Sequence, residues 1–134
     1  MDRCLTRQLA IPAVGLLIAV ALASPQTPHP FATPLGCPEG ECRVLTGMPQ
    51  TSGMRSGFVR LKPGQSIGWH STGKNEEAIV ILHGKGKAII DAQPSLPFVA
   101  PALIYIPPAT RHNVENTGSG LLEYEYVVAP AMTQ

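Results

Sequence analysis

The sequence contains few aromatic residues and no run of basic residues, and both shortages limit what the chain can bind. One Trp, three Tyr and three Phe occur among 134 residues, and ten Lys and Arg are balanced by nine Asp and Glu. Proteins that bind nucleic acids usually carry clustered positive charge or aromatic side chains on which bases stack. We therefore expect neither a nucleic-acid partner nor an attraction to anionic membranes.

No window of ten or more residues repeats its apolar residues with the 3.6-residue period of an amphipathic helix. From residue 42 onward, short β-like runs instead alternate with Gly, Pro, Asn and Ser. The candidate strands are residues 43–46, 57–62, 66–70, 77–83, 87–91, 102–106, 112–116 and 122–128. Many short strands without a helix predict an all-β antiparallel sandwich or small barrel over residues 42–130, followed by a tail, 131–134.

The chain has no apolar run of the roughly 20 residues that a membrane-spanning helix needs. The longest run, 9–23, has 15 residues, follows Arg3 and Arg7, and ends in the small-x-small pattern of residues 21–23. We interpret residues 1–23 as a secretory signal peptide, with an uncleaved anchor or a buried helix as the alternatives. The mature protein is then expected to be periplasmic or secreted and free of the membrane.

Cysteine is also scarce, and one of the three, Cys4, lies inside the predicted signal. Cys37 and Cys42 remain, and an even pair outside the cytoplasm predicts a disulfide. A redox-active pair or a thiolate metal site are the alternatives, although no further cysteine supports the latter. Residues 24–41 are predicted to be a Pro-rich tether that includes the start of the Cys37–Cys42 loop.

Two histidines and one glutamate are the strongest candidates for chemistry. His70 ends one candidate strand and Glu77 begins the next, so antiparallel pairing of these strands would bring the two side chains together. His112 begins a third strand and could face the same interior. Two imidazoles and a carboxylate form a ligand set for a divalent metal, whereas a metal-free hydrogen-bonded cluster or ligand pocket is the alternative. Thr72 has the parity of His70 and could hydrogen-bond a metal-bound water.

The last candidate strand alternates cleanly between apolar and acidic residues. Its period of two places Tyr124 and Tyr126 on the interior face, where they can line a cavity, and Glu123 and Glu125 toward solvent. Trp69 has the opposite parity to His70 and is expected outside the cavity or at a subunit contact. No second carboxylate of inward parity stands out, and no Ser or Cys nucleophile lies beside a histidine. These absences slightly favour binding over catalysis.

The histidine and glutamate spacing resembles two motifs of the cupin family, G-x5-H-x-H-x(3,4)-E-x6-G and G-x5-P-x-G-x2-H-x3-N. The matching residues are Gly64, His70, Glu77, Gly84, Pro107, His112 and Asn116. Three positions depart from the motifs, with Thr72 in place of a histidine and Pro101 and Ala109 in place of glycines. The resemblance covers residues 43–128. It implies a jelly-roll barrel with His70, Glu77 and His112 as metal ligands, and it raises the prospect of a homodimer.

The family resemblance does not choose a function, because cupins include both enzymes and binding proteins. A chain exported unfolded would acquire its metal outside the cytoplasm, where nitrogen and oxygen sites fill in Irving–Williams order, so we expect Zn, Ni or Cu ahead of Fe or Mn. The first hypothesis is a metalloprotein that acts on a small organic molecule. The second is a non-catalytic cupin that binds a small molecule or sugar without metal. A structural module tethered to an envelope partner is a third, weaker hypothesis.

Overall fold

The computed structural model describes residues 27–132, which form eight β-strands; the predicted signal peptide lies outside the described residues. The strands are β1 (Gly40–Thr46), β2 (Arg55–Leu61), β3 (Asn75–His83), β4 (Lys85–Ile90), β5 (Leu96–Val99), β6 (Ala102–Ile106), β7 (His112–Asn116) and β8 (Leu122–Pro130). Within residues 27–132, we find no helix with the length and apolar character required to span a bilayer.

The strands form two sheets, and all the pairings within them are antiparallel. The five-stranded sheet has the order β1-β2-β8-β3-β6, and the three-stranded sheet has the order β5-β4-β7. β3 and β4 are neighbours in the chain but lie in different sheets, whereas β1 pairs with β2 and β4 pairs with β5. This two-sheet jelly roll confirms the predicted all-β antiparallel class.

The hydrophobic core lies between the two sheets. Alternate residues of each strand point inward, so both sheets contribute aliphatic side chains to one contiguous cluster. Its members with at most 1% exposure are Val59, Ile79, Ile81, Ala88, Ile106, Val114 and Leu122. Each large aliphatic side chain that is fully buried contributes about 1.5–3 kcal/mol to folding. The core therefore holds the two sheets together around the cavity described below.

Two of the predicted element assignments are wrong. Residues 66–70 form only isolated bridges to β7, at Ser66 and His70, rather than a continuous strand. Gly68 explains the interruption, because its φ of +97° is incompatible with extended backbone. The structure also contains β5, which is not among the candidate strands.

The burial predicted from the alternation of β8 is correct for its apolar face but wrong for one glutamate. Tyr124 is buried as predicted, and Glu123 forms an ion pair with Arg60 at 2.7 Å. Glu125, predicted to face solvent, is only 8% exposed. β8 is the middle strand of the five-stranded sheet, and the cross-strand neighbours of Glu125 are Phe58 and Val80. These apolar neighbours shield a side chain on the outer face that an edge strand would have left in water.

The predicted cysteine pair is brought together at the start of the barrel, where Cys42 lies in β1. The sulfur atoms of Cys37 and Cys42 lie 2.00 Å apart, and their Cα atoms are separated by 5.4 Å. Residues 27–37 form neither helix nor strand. The cysteine pair therefore connects the end of this segment to β1.

Candidate metal centre

The predicted ligand residues His70, Glu77 and His112 meet in the interior of the jelly roll. Each offers a ligand atom, and these atoms all lie within 4.8 Å of one another. His112 is the first residue of β7, Glu77 is the third residue of β3, and His70 ends the irregular segment that bridges to β7. The three residues therefore form one cluster, as the sequence predicted.

The route by which they meet differs from the prediction. His70 was expected to approach Glu77 through pairing of their two strands, but it pairs with His112 instead. Glu77 lies in the five-stranded sheet, opposite Ile106 and Val128. The histidines and the glutamate therefore approach across the interior from opposite sheets.

Both histidine rings are oriented by backbone carbonyls. The Nδ1 atom of His70 lies 2.9 Å from the Gly68 carbonyl oxygen, and that of His112 lies 3.0 Å from the Thr110 carbonyl oxygen. A carbonyl oxygen only accepts, so the proton of each neutral imidazole is held on Nδ1 and the lone pair is on Nε2. The rings meet edge to face with centroids 4.3 Å apart. Histidines that bind metals are held in this way by their other nitrogen.

The buried end of the cluster contains two polar atoms without hydrogen-bond partners. His112 Nε2 and Glu77 Oε2 are 3.1 Å apart, and their side chains are 0% and 4% exposed. Neither atom forms an oriented hydrogen bond with any group in the described residues. Two buried lone-pair atoms at this distance require a cation or a proton between them. Two nitrogens and one carboxylate oxygen fit a divalent cation such as Zn²⁺.

The electrostatics of His112 are dominated by two opposing effects. Burial alone would lower its pKa, but the Glu77 carboxylate and the Thr110 carbonyl stabilise the imidazolium and raise the pKa above its ordinary value. Without a metal, a proton on His112 is therefore favoured more than on an isolated histidine. A metal ion and this proton compete for the same nitrogen.

Thr72, which replaces a histidine of the cupin motif, borders the same cavity. Its hydroxyl donates to the Asn75 carbonyl oxygen at 2.8 Å, within the turn that leads into β3. The hydroxyl therefore stabilises the turn that positions Glu77 two residues further on. Its contact with a metal-bound water stays a prediction.

A cavity of about 350 Å³ adjoins the cluster. Its walls include the apolar residues Ile67, Ile79, Val114 and Val128 and both tyrosines that the sequence assigned to the interior, Tyr124 and Tyr126. Burial, followed by the charge of Glu77, raises the pKa of Tyr124. Burial and the hydrogen bond that Tyr126 donates to Glu41 likewise raise the pKa of Tyr126. Both phenols therefore keep their protons at neutral pH.

Sequence reasoning missed three charged residues of the cavity wall, Glu41, Arg43 and Arg55. Glu41 contradicts the expectation that no second carboxylate points inward. The first strand had been placed at residue 43, whereas β1 begins at Gly40 and puts Glu41 opposite Val59. Glu41 lies opposite Val59, and Arg43 lies opposite Gly57. Because cross-strand partners face the same side of a sheet, the inward parity of Val59 and Gly57 would have indicated that Glu41 and Arg43 also face inward.

Trp69 also lies elsewhere than predicted. It borders the cavity, is 44% exposed, and has the Arg111 guanidinium 4.9 Å from its ring centroid. Because Gly68 interrupts the extended backbone, strand parity does not apply to its neighbour. The expectation that Trp69 lies outside the cavity was therefore wrong.

Comparison with known families agrees with the motif resemblance. Residues 57–129, more than half of the chain, match the family described as "Cupin domain". The chain belongs to the cupin family. No curated protein matches the sequence of this cupin.

Solved cupin structures share its fold. A Cupin 2 conserved barrel domain protein from Salinispora arenicola is 25% identical, with a TM-score of 0.58 over 68% of this chain and 75% of its own. A cupin protein from Bacteroides fragilis is 19% identical, with a TM-score of 0.62 over 78% and 87% of the two chains. The Cnp3 cupin domain of Schizosaccharomyces pombe is 16% identical, with a TM-score of 0.60 over 68% of this chain. This cupin spans 64% of the length of that domain.

At one position this cupin lacks the glycine of the motif but keeps a backbone conformation typical of glycine. Ala109 replaces a motif glycine, and its φ is +57°, in the left-handed region that favours glycine. The turn before His112 therefore has the conformation that a glycine would adopt with less strain.

Proposed function

We propose that this cupin binds one divalent metal ion through His70, Glu77 and His112 and acts on a small organic molecule in the adjoining cavity. The observation that carries the proposal is the buried, unpartnered pair of His112 Nε2 and Glu77 Oε2. The carbonyls behind both imidazoles support it, since they leave each Nε2 lone pair available to a cation.

A metal held by three protein ligands has open coordination positions, at which it can polarise a substrate oxygen or activate water. The chain contributes the surroundings of that chemistry. Ile79 and Val114 are buried and exclude water from one part of the wall. Tyr124, protonated at neutral pH, can donate a hydrogen bond to an oxygen of a bound molecule.

Zinc titration tests the proposal directly. We expect the metal-depleted protein to bind one equivalent of Zn²⁺ in isothermal titration calorimetry, and His112→Ala to weaken binding by about tenfold to a hundredfold or more. His83→Ala is the matched control, because His83 is exposed at the end of β3 and outside the cluster. An unchanged Zn²⁺ affinity in a folded His112→Ala variant would contradict the proposal.

The second candidate function is a non-catalytic cupin that binds a small molecule or sugar without metal. The close approach of His112 and Glu77 supports this candidate also, because a protonated His112 could share its proton with the carboxylate. The same titration separates the two candidates. Failure of the folded wild-type protein to bind Zn²⁺, Ni²⁺ or Cu²⁺ would favour the metal-free candidate.

We propose further that the protein is exported and acquires Zn, Ni or Cu rather than Fe or Mn outside the cytoplasm. The Cys37–Cys42 pair supports an oxidising compartment. Cell fractionation and N-terminal sequencing of the full-length expressed protein should find it outside the cytoplasm and beginning at Ser24. Elemental analysis of that material is the second check, and stoichiometric iron alone would overturn the metal preference. The homodimer stays a prediction.

A further inference from the structure

Two arginines border the cavity beside the candidate metal centre. Arg43 on β1 is the cross-strand partner of Gly57 on β2, and Arg55 lies two residues before Gly57 on the same face of β2. Gly57 has no side chain, and the phenol of Tyr126 occupies the space above it. The two guanidinium groups therefore belong to the part of the wall that Tyr126 forms.

Neither arginine is neutralised by a carboxylate of the described chain. Among residues 27–132, the Arg and Lys side chains in ion pairs are Arg60, Lys62 and Lys87, and neither Arg43 nor Arg55 has a carboxylate oxygen within 4.0 Å. The one acidic residue of this part of the wall, Glu41, already accepts a hydrogen bond from Tyr126. A guanidinium is charged at every physiological pH, so this part of the wall keeps a net positive charge.

The remaining walls select the kind of anion. Ile67, Ile79, Val114 and Val128 provide apolar surface in the same cavity, which suits an organic body better than a hydrated inorganic ion. The planar fork of a guanidinium matches the two oxygens of a carboxylate. With a divalent metal at Glu77, the net charge near the centre is also positive, and no wall then repels an anion.

From these features we infer that the cavity takes a small organic carboxylate, bound by Arg43 and Arg55 at its carboxylate end with its apolar body along the aliphatic wall. This inference names the substrate class and rests on the proposed function for its metal-facing end. The arginine contacts themselves do not require a metal.

Calorimetric titration with acetate, butyrate and benzoate, each beside its primary amide, tests the inference. We expect butyrate or benzoate to bind the wild-type protein at least about tenfold more tightly than the matching amide. The Arg43→Gln/Arg55→Gln double variant should lose about tenfold or more of that affinity. Arg60→Gln/Lys62→Gln is the control, because it also removes two positive charges, from residues that pair with Glu123 and Glu39 and do not line the cavity.

Several outcomes would overturn the inference: no carboxylate binds, the amides bind equally well, or the double variant keeps the wild-type affinity. Inorganic phosphate that binds as tightly as benzoate would also overturn it, by indicating a general anion site. Should the glutamine variants not fold, the Arg43→Lys/Arg55→Lys variant replaces them. It keeps both charges without the planar forks, and an undiminished benzoate affinity in it would count against the inference.

Titrations with and without Zn²⁺ separate this inference from the proposed function. Arginine-dependent benzoate binding in a protein that binds no Zn²⁺ would leave the carboxylate site standing and end the metal proposal. Stoichiometric Zn²⁺ binding without any carboxylate binding would support the metal proposal and overturn the carboxylate inference.

Discussion

His112 Nε2 lies 3.1 Å from Glu77 Oε2, although the two residues belong to different sheets of the jelly roll. Antiparallel pairing within one sheet would place side chains next to each other at a distance fixed by the ladder. Here the separation depends instead on how closely the two sheets pack. A cation at this point would link the three-stranded sheet to the five-stranded sheet, so metal binding and folding should be coupled.

The first prediction concerns this coupling. Zn²⁺ at about a hundred times its dissociation constant should raise the free energy of unfolding by about 2.7 kcal/mol, because the ion binds the folded state only. Glu77→Gln should abolish most of this increase in thermal denaturation. Glu76→Gln should retain it, because Glu76 accepts a hydrogen bond from Tyr105 and lies outside the cluster. An equal effect of Zn²⁺ on both variants would argue against Glu77 as a ligand.

The second prediction is the pH dependence of metal affinity. The raised pKa of His112 means that its proton persists to higher pH than on an ordinary histidine. A metal must displace this proton, so the apparent Zn²⁺ affinity should fall as the pH decreases through that raised pKa and level off above it. Zn²⁺ titrations between about pH 5.5 and 8 would measure this. A constant Zn²⁺ affinity across this range would mean that the metal displaces no proton from His112.

The third prediction concerns the close packing of Tyr126 on Gly57. A Cβ atom at residue 57 would lie 2.6 Å from the Tyr126 hydroxyl oxygen. Gly57→Ala should therefore displace the phenol and destabilise the protein by about 1–3 kcal/mol in urea denaturation. Gly36→Ala is the control, because its Cβ would meet no atom within 4 Å. The cost of Gly57→Ala should shrink in a Tyr126→Ala background, and an unchanged cost would assign the strain to another contact.

The fourth prediction concerns Glu125, whose pKa is raised because burial disfavours the carboxylate. An acid with a raised folded-state pKa stabilises the protein most below its unfolded pKa, and this contribution is lost as the pH rises through the folded pKa. Glu125→Gln should therefore stabilise the protein at pH 7 by about 1 kcal/mol. This gain should vanish in acid. Thermal denaturation at both pH values checks it, with Glu123→Gln as the control that instead breaks the Arg60 ion pair.

The local sequence was sufficient for the strands with strong alternation. β8 was predicted within two residues at its C-terminal end, and Leu122, Tyr124 and Val128 on its inner face are buried as expected, whereas Tyr126 is partly buried. The predictions failed where a neighbouring element changed the outcome. Glu125 is buried because β8 lies between β2 and β3, and strand order cannot be read from the alternation of a single strand.

In the candidate site, too, features set by the local sequence were predicted and features set by neighbouring strands were not. The sequence identified the three residues of the cluster, His70, Glu77 and His112, because each ends or begins a short β-like run with inward parity. The charged wall of Glu41, Arg43 and Arg55 was not found, because it depends on the register between β1 and β2. Trp69 was misplaced because the positive φ of Gly68 changes the direction of the chain by an amount that no period-two pattern describes.

Residue order alone was thus enough to establish an all-β chain and the identity of three potential ligands, since both follow from periodicities and spacings within short segments. Which strand lies beside which, and therefore that the histidines come from one sheet and the glutamate from the other, required the folded chain. The reason is physical. Side-chain alternation is a property of each strand, whereas the meeting of His112 and Glu77 depends on long-range packing between two sheets that share a core.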